Sequence, residues 1–335
     1  MSASIGTDQI LANQPVIFDR SDWGHIRLTG ADRVRFLHNQ TTNNIEQLAA
    51  GQGCQTIFVT STGRTIDMAS VYALPDALYL TVSPGMAQSL YDWMDRYIFF
   101  SDQVTLVDES EQQFLLTVLG KHADAVIEKI GAESLIGQPE FTHHQLTLPL
   151  TLAQTNAVVT VAVGSDLAIE GYTVWGNQDV KAAVWSAVCE AGGVPGTAEQ
   201  WEQLRIQQGR PAPGKELTDD DNPLEAGLWN GVSFEKGCYI GQETIARLNT
   251  YQGVKKRLWG VVLEETVPVG THLTQVGKKV GKITSISAVD SVVFGLAYVR
   301  TKAGGSDLVL EAEGVAAQVV SLPFNSHQYY TAVEK

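Results

Sequence analysis

The sequence predicts an α+β protein of two or three domains that ends in an all-β barrel or sandwich, and three observations carry this. At 335 residues the chain is too long for one ordinary core. From about Gln55 to Gly131, β-rich runs and amphipathic helices follow one another in a mixed order that favours a sheet with helices on one face. From about Lys256, short apolar strands alternate with turns and no helical period intervenes.

The elements follow in order. Gly30-Ala31-Asp32-Arg33-Val34-Arg35-Phe36-Leu37 reads as a turn entering a short helix, and Gln40 to Asn44 as a polar loop. Thr56 to Thr60, Thr65 to Leu74 and Leu78 to Val82 read as antiparallel strands, the first two joined by a turn at Ser61-Thr62-Gly63-Arg64. Ser83-Pro84 is a helix start, and Met86, Leu90, Trp93 and Tyr97 recur at helical spacing on what should be a buried face. Phe114 to Leu119 is a further strand, and Ala123, Val126, Ile127 and Ile130 form the apolar side of a helix ended by Gly131. Val180, Val184, Ala187 and Val188 mark another helix. Thr197-x-x-Gln200 is a capping box opening a helix that ends near Gly209. Residues 210 to 223 hold Pro211, Pro213, Pro223 and Asp219-Asp220-Asp221, which forbids regular structure; a loop of this length is usually functional or mobile. The closing strands are Leu258 to Leu263, Val280 to Ile286, Val293 to Val299, Leu308 to Glu311 and Ala316 to Leu322.

Composition excludes several classes. Hydrophobic residues make up 44% and charged residues 18%, and no apolar run approaches the roughly 18 to 20 residues of a bilayer-spanning helix. Met1 to Asp19 lacks a basic start followed by an apolar stretch, so no secretory signal is expected and the expected location is the cytoplasm. Cys54, Cys189 and Cys238 are odd in number and far apart, against a disulfide framework or a cysteine-built zinc site. The His143-His144 pair reads as a polar turn, and no metal site is expected. A net charge of −14 argues against direct nucleic-acid binding, although Arg247, Lys255, Lys256 and Arg257 concentrate positive charge, either as an anion-facing group or as a lysine-protected strand edge.

The densest run of unusual residues is Lys236-Gly237-Cys238-Tyr239-Ile240-Gly241-Gln242-Glu243. Its glycines permit positive φ and a tight backbone that would present the thiol at a surface, with Lys236 and Arg247 able to favour the thiolate if they approach it. The alternative is a small buried apolar cysteine. This run resembles the signature of YgfZ-type proteins, relatives of the glycine-cleavage T-protein. Leu204 to Pro211, Asn222 to Leu228, and Gly30-x-Asp32-x-x-x-Phe36-Leu37 with Gln40-Thr41-Thr42 resemble further blocks of the same family.

The resemblance implies a three-domain ring of α+β class: a discontinuous first domain (1–45 with 141–215), a ferredoxin-like domain with the cysteine segment (46–140 with 216–254), and a C-terminal β-barrel (255–335). It also implies binding of tetrahydrofolate or a one-carbon derivative, and a role in maintaining iron-sulfur enzymes, including tRNA-modifying ones, with iron-sulfur client or assembly proteins as partners. Cys238 is then the candidate for a thiol step. A folate needs a carboxylate for its N–H donors and cations for its glutamate tail. Asp67 matches one aspartate of the T-protein's glycine-rich turn, while the second falls on Met68, which cannot move a proton, so aminomethyl transfer stands as the alternative function. Asp67 could equally cap its hairpin. Glu170, in Glu170-Gly171-Tyr172, loosely resembles the pterin-holding glutamate; Arg205, Arg247 and Lys236 are the basic candidates and Tyr239 stands beside them.

Overall fold

In strands β1 (Val16–Asp19) and β7 (Gln113–Leu119) apolar side chains run in blocks, and the two strands pair antiparallel with Ile17 opposite Val118. They lie inside a six-stranded sheet completed by β8 (His143–Leu150), β9 (Thr155–Val163), β10 (Gly171–Asn177) and the short β11 (Val194–Pro195), in the order β11-β1-β7-β10-β9-β8. Helices α3 (Ala123–Lys129) and α4 (Lys181–Glu190) cover it through Val126, Ile127, Val184 and Val188, all buried against Leu116, Val118, Val161 and Val174. A second sheet, in the order β3-β4-β5-β2-β6, is built from β2 (Gly24–Thr29), β3 (Gly53–Val59), β4 (Thr65–Ala73), β5 (Leu78–Val82) and β6 (Thr105–Asp108). Helices α1 (Arg33–Gln40) and α2 (Ala87–Asp95) belong to this part of the chain.

The structure, a computed structural model, describes residues 11–150, 155–289 and 292–331. It divides into two units. Among the described residues, the sheet unit comprises those up to Thr56 with Met68–Trp201, and the barrel unit comprises Ile57–Asp67 with those from Glu202 onward. In the barrel unit, α5 (Ala198–Gln208) and α6 (Gln242–Thr250) precede six strands that close on themselves. These are β12 (Lys256–Leu263), β13 (His272–Gln275), β14 (Lys278–Val289), β15 (Val292–Arg300), β16 (Val309–Ala312) and β17 (Val315–Val320), in the order β12-β15-β14-β13-β16-β17. Val261, Leu273, Ile283, Val299, Leu310 and Val319 fill the interior. Closure removes the exposed sheet edges an open sheet would leave. The α+β class and the terminal barrel are as the sequence predicts.

Four expectations need correction. Segments 1–45 and 46–140 do not separate, because β2 pairs with β5 and β6 while β1 pairs with β7, and long-range pairing leaves no local mark in a sequence. His143 and His144 open strand β8 instead of a turn, and strand alternation turns them to opposite faces: His143 is buried beside Tyr72, and His144 is exposed near the Ser134 hydroxyl. Helix α2 starts three residues after Pro84, since Gly85 has a positive φ; Ala87, Leu90 and Met94 are its buried residues, and Tyr97 lies exposed beyond its end. The barrel has β13 in addition to the five strands predicted.

The charged centre of the sheet unit is Arg20. Its guanidinium lies between the rings of Trp23 and Trp201, 3.7 and 4.3 Å from their centroids, and donates to Asp166 (2.9 Å), Thr117 (3.0 Å) and the Ser165 carbonyl (3.3 Å). Ser70 donates to the other Asp166 oxygen. A buried pair of this kind is costly to break from one side. Asp166→Ala should lower unfolding free energy by about 3–5 kcal/mol in urea titration; a change below about 1 kcal/mol would show that water reaches Arg20. His25 is fully buried and hydrogen-bonds through Nδ1 to the Tyr79 hydroxyl (2.8 Å), whose phenol burial keeps protonated. Burial, with the Arg20 charge second, pushes its imidazole down to about 4. The unfolded chain therefore takes up a proton near pH 6.5 that the folded state refuses until about 4, so this stability is present above 6.5 and is lost as pH falls through that window. The loss should reach ~3 kcal/mol by urea titration at pH 7 and pH 4, and His25→Asn should flatten the slope; an unchanged slope would assign it to other groups.

Candidate functional site

The β3–β4 turn and the cysteine segment meet at two glycines. Gly241 sits at the N-terminus of α6 with φ of 80°, and a Cβ there would lie 2.5 Å from the Thr60 carbonyl oxygen. Gly63, φ 73°, faces back, and its Cβ would lie 3.0 Å from Thr244 Cβ. At Gly241 backbone therefore approaches backbone closely enough to exclude a side chain, while at Gly63 a side chain would press on Thr244 and be strained by the positive φ. The contact carries Lys236-Gly237-Cys238-Tyr239 on the loop before α6. Cys238 is exposed, so it is presented and not part of a core. Lys236 and Tyr239 are buried, the Lys236 ammonium 4.9 Å from the Tyr239 ring centroid. Burial pushes the Tyr239 phenol well up, which keeps it a proton donor. Arg247 is exposed one turn into α6 and pairs with the exposed Glu243 at 3.7 Å.

The hairpin is fastened from its other side by the segment after α5. Arg64 donates to the Asp220 carbonyl (3.0 Å), and Thr65 donates its backbone N–H and its hydroxyl to the Asp221 carbonyl (2.9 and 3.1 Å). Asp67, two residues along β4 from Thr65, is fully buried. Within the turn, the Thr60 hydroxyl accepts from the Arg64 N–H at 3.1 Å. Met68 is fully buried as well.

Residues 210–223 are held inside the unit by charge. Glu216, without solvent exposure, accepts from Arg205 (3.1 Å), the Ser285 hydroxyl (2.6 Å) and the Ala212 N–H (3.1 Å). Arg205 also donates to both oxygens of Glu202 (2.7 Å each), to the Arg210 carbonyl (2.8 Å) and to Ser285 (2.9 Å). All five guanidinium donors are thus committed internally, which leaves none for the anionic tail the sequence assigned to it. Asn222-Pro223-Leu224-Glu225 closes as a reciprocal turn, Asn222 Oδ1 accepting from the Leu224 and Glu225 N–H groups and Glu225 accepting from the Asn222 N–H. Burial raises the Glu225 carboxyl, and Lys256, itself 2.5 Å from Asp221, opposes the rise.

An aromatic wall missed by the sequence reading completes this face. Trp229, Phe234, Tyr329 and Tyr330 pack edge and face, with Phe234 and Tyr330 stacked at 5.1 Å and 12°, and Asn249 exchanges hydrogen bonds with the Tyr330 backbone. The only available signal was the Tyr329-Tyr330 pair near the end of the chain.

Glu170 belongs to the sheet unit. It is exposed in a cleft of about 420 Å³, which Asp124, Glu140, Gly164 and Tyr172 also line. Burial, then Asp166, raises the Glu140 carboxyl, and Tyr172 donates to Asp124 at 2.6 Å. The cleft is rich in acceptors and suits a ligand edge rich in N–H donors.

A chain with this closed barrel, these mixed sheets and a glycine-locked hairpin against a cysteine loop has the T-protein type of architecture. It belongs to the GCVT N-terminal domain family, which it matches over residues 8–236, and residues 255–323 match the CAF17 C-terminal beta-barrel domain. This pairing accords with the YgfZ-type resemblance of the cysteine segment. Over 320 residues the chain is 42% identical to a chloroplastic protein of Arabidopsis thaliana provisionally named a transferase, covering 95% of this chain and 73% of that one. It is 28% identical over 326 residues to the aminomethyltransferase of Halothermothrix orenii, covering 93% and 88%. The crystal structure of the glycine cleavage system aminomethyltransferase T from Bartonella henselae superposes with a TM-score of 0.80 at 19% identity, over 98% of this chain and 91% of that one, a likeness of fold. No helix among the described residues is long and apolar enough to cross a membrane.

Gly241→Ala should destabilise the protein by about 2 kcal/mol or more, the left-handed backbone alone accounting for roughly 1–2 kcal/mol, and should change the reaction rate of the Cys238 thiol with a maleimide reagent. Unchanged melting and thiol reactivity would mean that the hairpin contact does not shape the cysteine loop.

Proposed function

We propose that this protein binds a reduced folate and serves as a maintenance factor for iron-sulfur enzymes, including those that modify tRNA, with Cys238 as the thiol presented to a client or assembly protein. The observation that carries the reading is the buried carboxylate of Asp67 on a hairpin locked by Gly63 and Gly241 to the loop bearing Lys236, Cys238 and Tyr239. Asp67 is proposed to accept from the N–H groups of the folate, Tyr239 and Lys236 to donate to it, and Arg247, exposed and paired with the exposed Glu243, to meet the anionic tail. Glu170 is proposed separately, as the carboxylate of the acceptor-rich cleft in the sheet unit that suits a pterin edge. The protein's place would be a reducing compartment, where an exposed cysteine stays a thiol; the Arabidopsis relative is chloroplastic by name.

Aminomethyl transfer to tetrahydrofolate is the second reading, supported by the aminomethyltransferases among the relatives. Against it stands Met68: an apolar thioether occupies the position next to Asp67 where proton transfer would need a second carboxylate.

Calorimetric titration with tetrahydrofolate tests the proposal. Saturable binding is expected, weakened roughly tenfold or more by Asp67→Asn, the loss of a charge-assisted bond of ~1.5–3 kcal/mol, and left nearly unchanged by Cys238→Ala. Cys238→Ala should instead lower the activity of iron-sulfur client enzymes in cells. Absent folate binding would remove the reading, and equal loss in both variants would make Cys238 a structural residue. Transfer of an aminomethyl group to tetrahydrofolate by the purified protein would move the conclusion to the second reading.

A further inference from the structure

On the outer face of the barrel, neighbouring strands bring a row of polar and basic side chains into register. His272 of β13 lies opposite Lys282 of β14, and Lys282 lies opposite Tyr298 of β15. Arg300 is two residues beyond Tyr298 and shares its face by strand alternation. With Lys279 near the start of β14, these side chains line one wall of a cleft of about 470 Å³, whose opposite wall is the segment from Gly214 to Asp221. The volume falls in the range of small-ligand sites. The cleft owes its shape to the Glu216 anchor, since the Tyr298 hydroxyl donates to the Glu216 carbonyl at 2.7 Å and holds that segment above the barrel.

The basic residues of the cleft are of two kinds. Lys256 is committed to Asp221, and Lys215 to Glu202 at 2.7 Å. Lys279, Lys282 and Arg300 have no carboxylate within ion-pair distance among the described residues. In a chain of net charge −14, three uncommitted cations gathered in one concavity make a local field of the opposite sign, and a concave low-dielectric wall focuses it. Asp220 and Asp221 line the other side. They would repel an extended polyanion laid across the cleft, so a nucleic-acid strand does not fit. A compact group carrying two or more negative charges does, because it can engage the cationic wall alone.

We propose that this cleft binds a compact phosphate-bearing small molecule, its phosphoryl oxygens held by Lys279, Lys282 and Arg300. Arg300 supplies a planar fork that matches two phosphoryl oxygens, and the two lysines supply point charges from the adjoining strand. A single carboxylate would leave at least two of the three cations uncompensated.

Inorganic pyrophosphate, titrated calorimetrically into the full chain at low ionic strength, tests this. Saturable binding at one site is expected, weakened tenfold or more by Lys282→Ala and by Arg300→Ala, weakened by added salt, and unaffected by Lys302→Ala outside the cleft. Both cleft residues are exposed, so the variants should melt like the parent. Absence of saturable binding, or equal affinity in the cleft variants, would overturn the proposal. Tighter binding of triglutamate than of pyrophosphate would overturn its phosphate chemistry. The two variants should keep the tetrahydrofolate affinity of the parent, so failure here and failure of the folate reading are separate results.

Discussion

A carboxylate removed from water has to find its hydrogen bonds inside the protein, and in the barrel unit that carboxylate is Glu216. It is reached by the Arg205 guanidinium, the Ser285 hydroxyl of β14 and a backbone N–H of its own loop, while Tyr298 of β15 takes the Glu216 carbonyl. Helix α5, two barrel strands and a proline-rich segment with no regular structure are thereby tied at one point. Such a segment cannot hold itself by a backbone ladder. Because it is tied, Asp220 and Asp221 offer their carbonyls in fixed positions to Arg64 and Thr65, and the hairpin that ends in Asp67 is located in turn.

The glycine contact works at shorter range and in a different way. Gly63 and Gly241 bring the hairpin turn and the start of α6 within backbone distance, and the loop preceding α6 is left with its cysteine outward and its lysine and tyrosine inward. An accessible thiol thus lies in the same short segment as a buried ammonium over a buried phenol ring. That setting differs from the surroundings of Cys189, a half-buried thiol that burial raises. One fold thus keeps two cysteines in opposite situations, and only one of them lies in a segment under such tight backbone constraint.

Membership of the GCVT family and a CAF17-type barrel account for the scaffold. Asp67 is buried where the resemblance to the T-protein turn puts an aspartate, and Met68 follows it. The Cys238 loop, packed against that hairpin through Gly241, is the other unusual feature of this part of the chain.

Local physical chemistry was legible in the sequence wherever it acts over a few residues. The Thr197–Gln200 capping box forms with both reciprocal bonds; the β5 and β7 strands, the α3 and α4 helices and the closing barrel follow from apolar period and turn chemistry, and the glycines around Cys238 pointed to a tight backbone while leaving a presented or a buried thiol open. Long-range choices were not legible. That β2 joins β5 and not β1, that His143 lies in a strand against Tyr72, that Arg205 spends every donor on its own unit, and that Trp229, Phe234 and the Tyr329-Tyr330 pair meet in one wall, all depend on segments far apart in the chain. By itself the sequence determined the class, the barrel and the location of the cysteine motif, because periodicity and φ preference are local properties. Which charges are consumed in the fold and which remain to meet a ligand was decided only by the tertiary structure, since a charge is satisfied by what reaches it through space.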